Sequence, residues 1–95
     1  MSVRWTHAAL THLLAIYEHI ARDSPLYARR TVDRLTRRSQ QIAMFPRSGR
    51  IVLEYGAPDI REVVEPPYRI LCRIRRDRID ILAVVHSAQN LPPHQ

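Results

Sequence analysis

The stretch from Pro67 to His86 constrains the fold more than any other part of the chain. It reads Pro67-Tyr68-Arg69-Ile70-Leu71-Cys72-Arg73-Ile74, a short charged break, then Ile79-Asp80-Ile81-Leu82-Ala83-Val84-Val85-His86. Two runs rich in β-branched residues on either side of a charged break predict a β-hairpin. A turn at Arg76-Asp77 sets Arg75 opposite Arg78, Ile74 opposite Ile79, Arg73 opposite Asp80, Cys72 opposite Ile81 and Leu71 opposite Leu82. In that register Tyr68, Ile70, Cys72, Ile74, Ile79, Ile81, Ala83 and Val85 share one face. Arg69, Leu71, Arg73, Asp80, Leu82, Val84 and His86 share the other, where Arg73 and Asp80 are placed to pair. Arg69 then has no acidic cross-strand partner, and His86 lies diagonally beside it.

The segments before the hairpin supply a cover for its apolar face. Ser2 to Trp5 alternates like a short edge strand, and Thr6 is placed to cap a helix. Leu10, Leu13, Leu14, Tyr17 and Ile20 recur at helical spacing, with His7, Thr11, Glu18 and Arg22 on the far side, so the first helix runs to about Arg22. Ser24-Pro25 is a second helix start, because the missing proline N–H would be unpaired in the first turn anyway. Ala28, Val32, Leu35, Ser39 and Ile42 form the stripe of that helix, which ends at Phe45-Pro46. After Ser48-Gly49-Arg50 the period changes to two: Ile51 to Leu53 pairs weakly, Ile60 to Val64 is a strand, and Pro66-Pro67 interrupts the ladder. Neither helix can bury its stripe alone. The expected fold is α+β: an N-terminal strand, then a two-helix antiparallel hairpin packed on one face of a small, mostly antiparallel sheet of about four strands.

Ninety-five residues, 45% of them hydrophobic, suit one domain over residues 1–95, with about 87–95 as a C-terminal tail. All fifteen basic residues are arginine and the formal charge is +6, so an acidic partner is expected. Without lysine there is neither a Schiff-base site nor a Walker-type phosphate loop, and Gly49 and Gly56 alone make no dinucleotide fingerprint. No cofactor is expected. A lone cysteine, Cys72, forbids an intrachain disulfide and reads as a small buried apolar residue. No apolar run reaches membrane-spanning length, so a cytoplasmic chain without membrane contact is expected. His7, His12 and His19 do not predict a metal site: His12 and His19 stand two turns apart, about 10 Å along a helix axis. They read as solvated histidines. The arginines of the second helix, Arg29, Arg30, Arg34, Arg37 and Arg38, read as a solvated face with Asp33 as an internal partner.

Several short segments together resemble the RelE/ParE toxin superfamily. They are Val3-Arg4-Trp5-Thr6 with Ala9-Leu10, Ala21-Arg22-Asp23-Ser24-Pro25, Phe45-Pro46-Arg47-Ser48-Gly49-Arg50, Ile60-Arg61-Glu62, Tyr68-Arg69-Ile70 and Val84-Val85-His86. Their order and spacing cover nearly the whole chain. The resemblance implies the toxin of a bacterial type II toxin-antitoxin pair of the plasmid-stabilisation kind. Its implied partner is a cognate antitoxin with a DNA-binding N-terminal domain and an acidic C-terminal segment that wraps the toxin, forming a hetero-oligomer.

The superfamily divides by target. ParE-like members inhibit DNA gyrase by binding, whereas RelE-like members cut mRNA on the ribosome. For cleavage, Glu54 or Glu62 is the candidate base, Arg61 and Arg69 the phosphate clamp, and His86 the acid. Arg69 in Tyr-Arg-Ile matches a catalytic arginine of the cutting branch, while His86 resembles the histidine that ends the last strand of many ParE-like sequences. Cutting members also carry basic and aromatic residues just after that strand. Here Ser87-Ala88-Gln89-Asn90-Leu91-Pro92-Pro93 has no arginine, lysine or tyrosine. The ParE-like, non-enzymatic branch is therefore favoured over a ribosome-dependent endoribonuclease, with a decayed toxin that only binds antitoxin as a third reading. Candidate target- or antitoxin-binding residues are Arg50, Arg61, Arg69, Arg73 and His86, with Trp5 and Tyr17 as core or antitoxin-contact aromatics.

Overall fold

Thr6 turns the chain from its first strand into its first helix. In the computed structural model, which describes residues 1–87, strand β1 spans Ser2–Trp5 and helix α1 spans His7–Ala21. The Thr6 hydroxyl accepts the Ala9 N–H at 3.2 Å and donates to the Ile81 carbonyl at 2.7 Å, so one side chain caps the helix and pins it to the sheet. Ser24 caps helix α2, Pro25–Met44, by accepting the Tyr27 N–H at 3.1 Å, with Pro25 in its first turn.

Beyond a short 3-10 turn at Pro46–Ser48 come strands β2, Arg50–Ile51; β3, Ile60–Glu65; β4, Tyr68–Ile74; and β5, Arg78–His86. The sheet has five strands in the order β1-β5-β4-β3-β2, one more than the sequence predicts, because the two-residue β2 counts as an edge. All pairings are antiparallel except β1 with β5, which run parallel with Val3 opposite Ile79 and Trp5 opposite Ile81. Gly49 leads into β2 where a Cβ would stand 3.0 Å from the Glu62 carbonyl oxygen, so the close approach of the two strands depends on the missing side chain.

Both helices cover one face of the sheet. Ala9, Leu35, Ile42, Val63, Ile70, Cys72, Ile79, Ile81 and Val84 form the main core, with Trp5, Leu13 and Ile16 packed against it. A fully buried Leu or Ile in such a core contributes about 1.5–3 kcal/mol. The expected α1 stripe is displaced: Ala9, Leu13 and Ile16 face the sheet, and Leu10 and Leu14 remain 50% and 57% exposed. On α2, Thr31 is buried and Val32 is only half-buried, because the Thr31 hydroxyl is satisfied by donating to the Tyr27 carbonyl at 2.9 Å.

The expected hairpin register holds for Ile74–Ile79, Arg73–Asp80 and Cys72–Ile81, then slips. Leu71 pairs with Ala83, Ile70 with Val84, Arg69 with Val85 and Tyr68 with His86, so Leu82 is the extra residue of a β-bulge. Every assignment beyond the bulge therefore changes face. Ala83 and Val85, expected on the helix side, join Leu71, Leu82 and Tyr55 in a second apolar cluster on the far face. Val84 enters the main core, and His86, opposite Tyr68, turns toward the helix side.

Candidate functional site

The face of the sheet away from the helices carries its polar groups in two arginine-carboxylate clusters. Strand alternation puts Arg50 of β2, Glu62 of β3 and Arg69 of β4 on this face, with Arg50 directly opposite Glu62 and Arg69 on the diagonal. Arg69 Nε donates to Glu62 Oε2 at 2.8 Å, and its Nη2 donates to the same oxygen. Arg50 Nη2 lies 3.1 Å from Glu62 Oε1, and Glu54 Oε2 approaches Arg69 Nη2 at 3.9 Å. The side chains of Arg69 and Glu62 are only 16% and 10% exposed, whereas Arg50 is 70% exposed. The expectation that Arg69 lacks an acidic partner is thus corrected: the partner sits on β3 rather than β5, a pairing invisible from the hairpin alone.

The second cluster centres on Asp80, which is buried and paired in register with Arg4 of β1. Its Oδ1 takes Arg78 Nε at 2.8 Å and its Oδ2 takes Arg75 Nε at 3.1 Å. Burial by itself pushes the Asp80 carboxyl upward, but the hydrogen bonds and charges of Arg78 and Arg75 outweigh it and hold the pKa below the ordinary aspartate value. Arg73, expected to bridge to Asp80, directs Nε to Asp59 Oδ2 at 3.3 Å, since the flanking arginines reach Asp80 from the hairpin end.

Tyr55 packs against the second apolar cluster, a position that the strand pattern did not signal because it belongs to the loop between β2 and β3. Burial raises its phenol pKa, the charge of Arg69 opposes that rise and the charge of Glu54 adds to it. An aromatic before Gly56, the one residue with positive φ among the described residues, is the sequence signal for such a turn-borne ring.

The remaining candidate residues lie elsewhere. Arg61 is in register with Cys72 on the helix side of the sheet and donates to the carbonyls of Gly49 and Pro58, each at 3.1 Å. His86 stands edge-on to Tyr68, ring centroids 5.8 Å apart. Trp5 packs in the main core and Tyr17 is half-buried on α1. The structure therefore brings together Arg50, Arg69, Glu62 and Glu54 and keeps Arg61 and His86 on the opposite side. His12 is not a solvated histidine: it is half-buried and its Nδ1 accepts the Val84 N–H at 3.2 Å. Ala88 to Pro93, most of the tail segment, lies outside the described residues.

Among known proteins, the family described as "ParE toxin of type II toxin-antitoxin system, parDE" matches residues 3–91. "Toxin RelE2" of Caulobacter vibrioides is 35% identical over 88 residues, covering 92% of this chain and 96% of the relative. "Putative toxin Y4kP" of Sinorhizobium fredii is 38% identical over 92 residues, 95% of this chain and 92% of the relative. A chain of the solved structure described as "Chromosomal ParDE TA system from P. aeruginosa" superposes with a TM-score of 0.74 at 25% identity, covering 90% of this chain and 95% of that one.

Proposed function

The chain belongs to the ParE toxin family of type II toxin-antitoxin systems, and on that premise we propose that it arrests growth by binding DNA gyrase rather than by cutting RNA. The observation that carries this reading is the state of Arg69. A phosphate clamp needs a guanidinium free to meet a developing negative charge, and this one is bound to Glu62, with Glu54 nearby. Both oxygens of Glu62 are engaged by arginines, so it is poorly placed to act as a general base. The histidine acid and Arg61 stand on the other side of the sheet. What the far face offers is a binding surface: exposed Arg50, half-buried Arg73, and apolar side chains around Tyr55.

The cognate antitoxin is expected to neutralise this cytoplasmic toxin with an acidic, amphipathic C-terminal segment that folds on binding. Its carboxylates would meet the arginine-rich surface and its apolar positions the exposed Leu10 and Leu14 of α1. The name of the RelE2 relative supports the alternative, ribosome-dependent mRNA cleavage. One pair of assays separates the two. Folded, purified toxin should inhibit gyrase supercoiling or promote gyrase-dependent DNA breaks; an inert result there, together with codon-specific cleavage in a translation assay, would reverse the assignment.

A further inference from the structure

The sheet ends on one side at β1, and among the described residues no strand pairs with the outer edge of β1. The ladder fixes which backbone groups that edge leaves open. Thr6 N–H donates to the Ile81 carbonyl at 3.1 Å, so Ser2, Arg4 and Thr6 turn their N–H and C=O groups toward β5. Val3 and Trp5, which alternate with them, turn theirs outward. Among the described residues those two N–H and two C=O groups have no partner.

The side chains along this edge alternate as well. Val3 and Trp5 are half-buried against the main core on the helix side, whereas Ser2 and Arg4 are exposed on the far face. Arg4 stands in register with Asp80, but the two oxygens of Asp80 are taken by Arg75 and Arg78, and Arg4 has no carboxylate partner among the described residues. Ser2 stands in register with Arg78. We propose that β1 is a docking edge for an extended acidic peptide, which adds antiparallel to it as a sixth strand, with acidic residues opposite Arg4 and Ser2 and apolar residues opposite Val3 and Trp5.

The edge itself selects this occupant. Donors and acceptors spaced along a strand match another polypeptide backbone; the phosphates of a nucleic acid would meet only the N–H groups, and hydrocarbon would leave both kinds unpaired. On β1 and the hairpin end beside it, Arg4, Arg75, Arg76 and Arg78 outnumber Asp77 and Asp80, so the favoured charge on the incoming strand is negative. A second copy of the chain fits less well. The antiparallel register that pairs Val3 of one copy with Trp5 of the other sets the two Arg4 side chains directly opposite each other, and like charges so placed are destabilising. The edge lies across the sheet from β2 and the Arg50–Glu62–Arg69 cluster, so the inference holds whichever target the toxin engages.

The test is amide hydrogen exchange of the full chain, read by NMR, with the blocked peptide acetyl-Val-Asp-Val-Asp-Val-Asp-amide as probe. At saturating peptide the Val3 and Trp5 amides should exchange about tenfold more slowly, and the Arg4 amide, already turned to β5, should change less. Val3→Pro removes one outward N–H without touching a group that faces β5, and should weaken binding about fivefold. Arg4→Glu should shift preference from the aspartate peptide toward its arginine counterpart, acetyl-Val-Arg-Val-Arg-Val-Arg-amide, a change that loss of folding cannot produce. Val3 and Trp5 amides that do not respond to the aspartate peptide overturn the proposal, as does equal binding of the arginine peptide to the wild-type chain. Protection of these amides without peptide overturns it too: if it grows with protein concentration the occupant is a second copy, and if it does not the chain closes its own edge.

Discussion

His12 on α1 accepts the backbone N–H of Val84 on β5 through Nδ1, at 3.2 Å, two residues past the bulge at Leu82. A bulge locally disrupts the ladder, and an unpaired buried N–H costs about 1–3 kcal/mol. His12 supplies the missing acceptor. His12→Leu should therefore lower stability by about 1–3 kcal/mol, read as an earlier urea midpoint at unchanged slope. His12→Asn, which keeps a side-chain acceptor, should recover part of the loss.

Arg69→Ala and Arg50→Ala should separate two kinds of ion pair around Glu62. Removing Arg69 leaves a carboxylate only 10% exposed with one solvent-exposed guanidinium, that of Arg50, and breaking such a buried pair costs about 3–5 kcal/mol. Removing the exposed Arg50 should cost about 0–1 kcal/mol. Denaturant titrations of the two variants check this order. Because Arg69→Ala spends much of a small domain's stability, Arg50→Ala is the cleaner probe of target binding, and it should reduce toxicity in folded protein.

Asp80 predicts an acid limb. Its carboxyl is held below the ordinary value of 3.8 in the folded chain by Arg78 and Arg75, which overcome the effect of burial. The unfolded chain therefore takes up this proton first as pH falls. The contribution is complete above about pH 4 and is lost as pH drops through the depressed folded value. Asp80→Asn should lower stability at neutral pH and flatten the acid limb in unfolding curves collected from pH 2 to 6.

Cys72 predicts a shallower limb at high pH. Burial pushes its thiol up to about 11, against a smaller opposite pull from Arg61. Above the ordinary value of 9.0 the unfolded chain ionises first, so stability should decline from there until the folded thiol also titrates near 11. A thiol reagent at neutral pH should leave the native protein unmodified, because Cys72 is fully buried, and should react once in denaturant.

Most of the architecture was legible because it rests on local chemistry. Thr6 and Ser24-Pro25 announce their helices, Phe45-Pro46 ends the second, and the period-two runs mark β3, β4 and β5. The helix stripes were less legible. Ala9 is too small to stand out beside Leu10, and a leucine in a helix pattern does not show whether it meets the sheet or solvent. The site was half legible: Arg50, Glu62 and Arg69 were all singled out, but their pairing crosses from β2 through β3 to β4 and depends on strand order.

The sequence by itself determined the α+β class, the helix caps, the turn of the last hairpin and the registers from Ile74–Ile79 to Cys72–Ile81. Tertiary structure decided the rest of β5. Ile81 to Val85 is apolar at every position, so alternation cannot distinguish a regular strand from a bulged one. The choice falls to contacts from distant segments: Thr6 N–H and its hydroxyl both hold the Ile81 carbonyl, and His12 takes the Val84 N–H. Those bonds shift the strand by one residue, and a one-residue shift moves each following side chain to the opposite face. That is why His86 stands beside Tyr68, while Arg69 is left on the far face to meet Glu62.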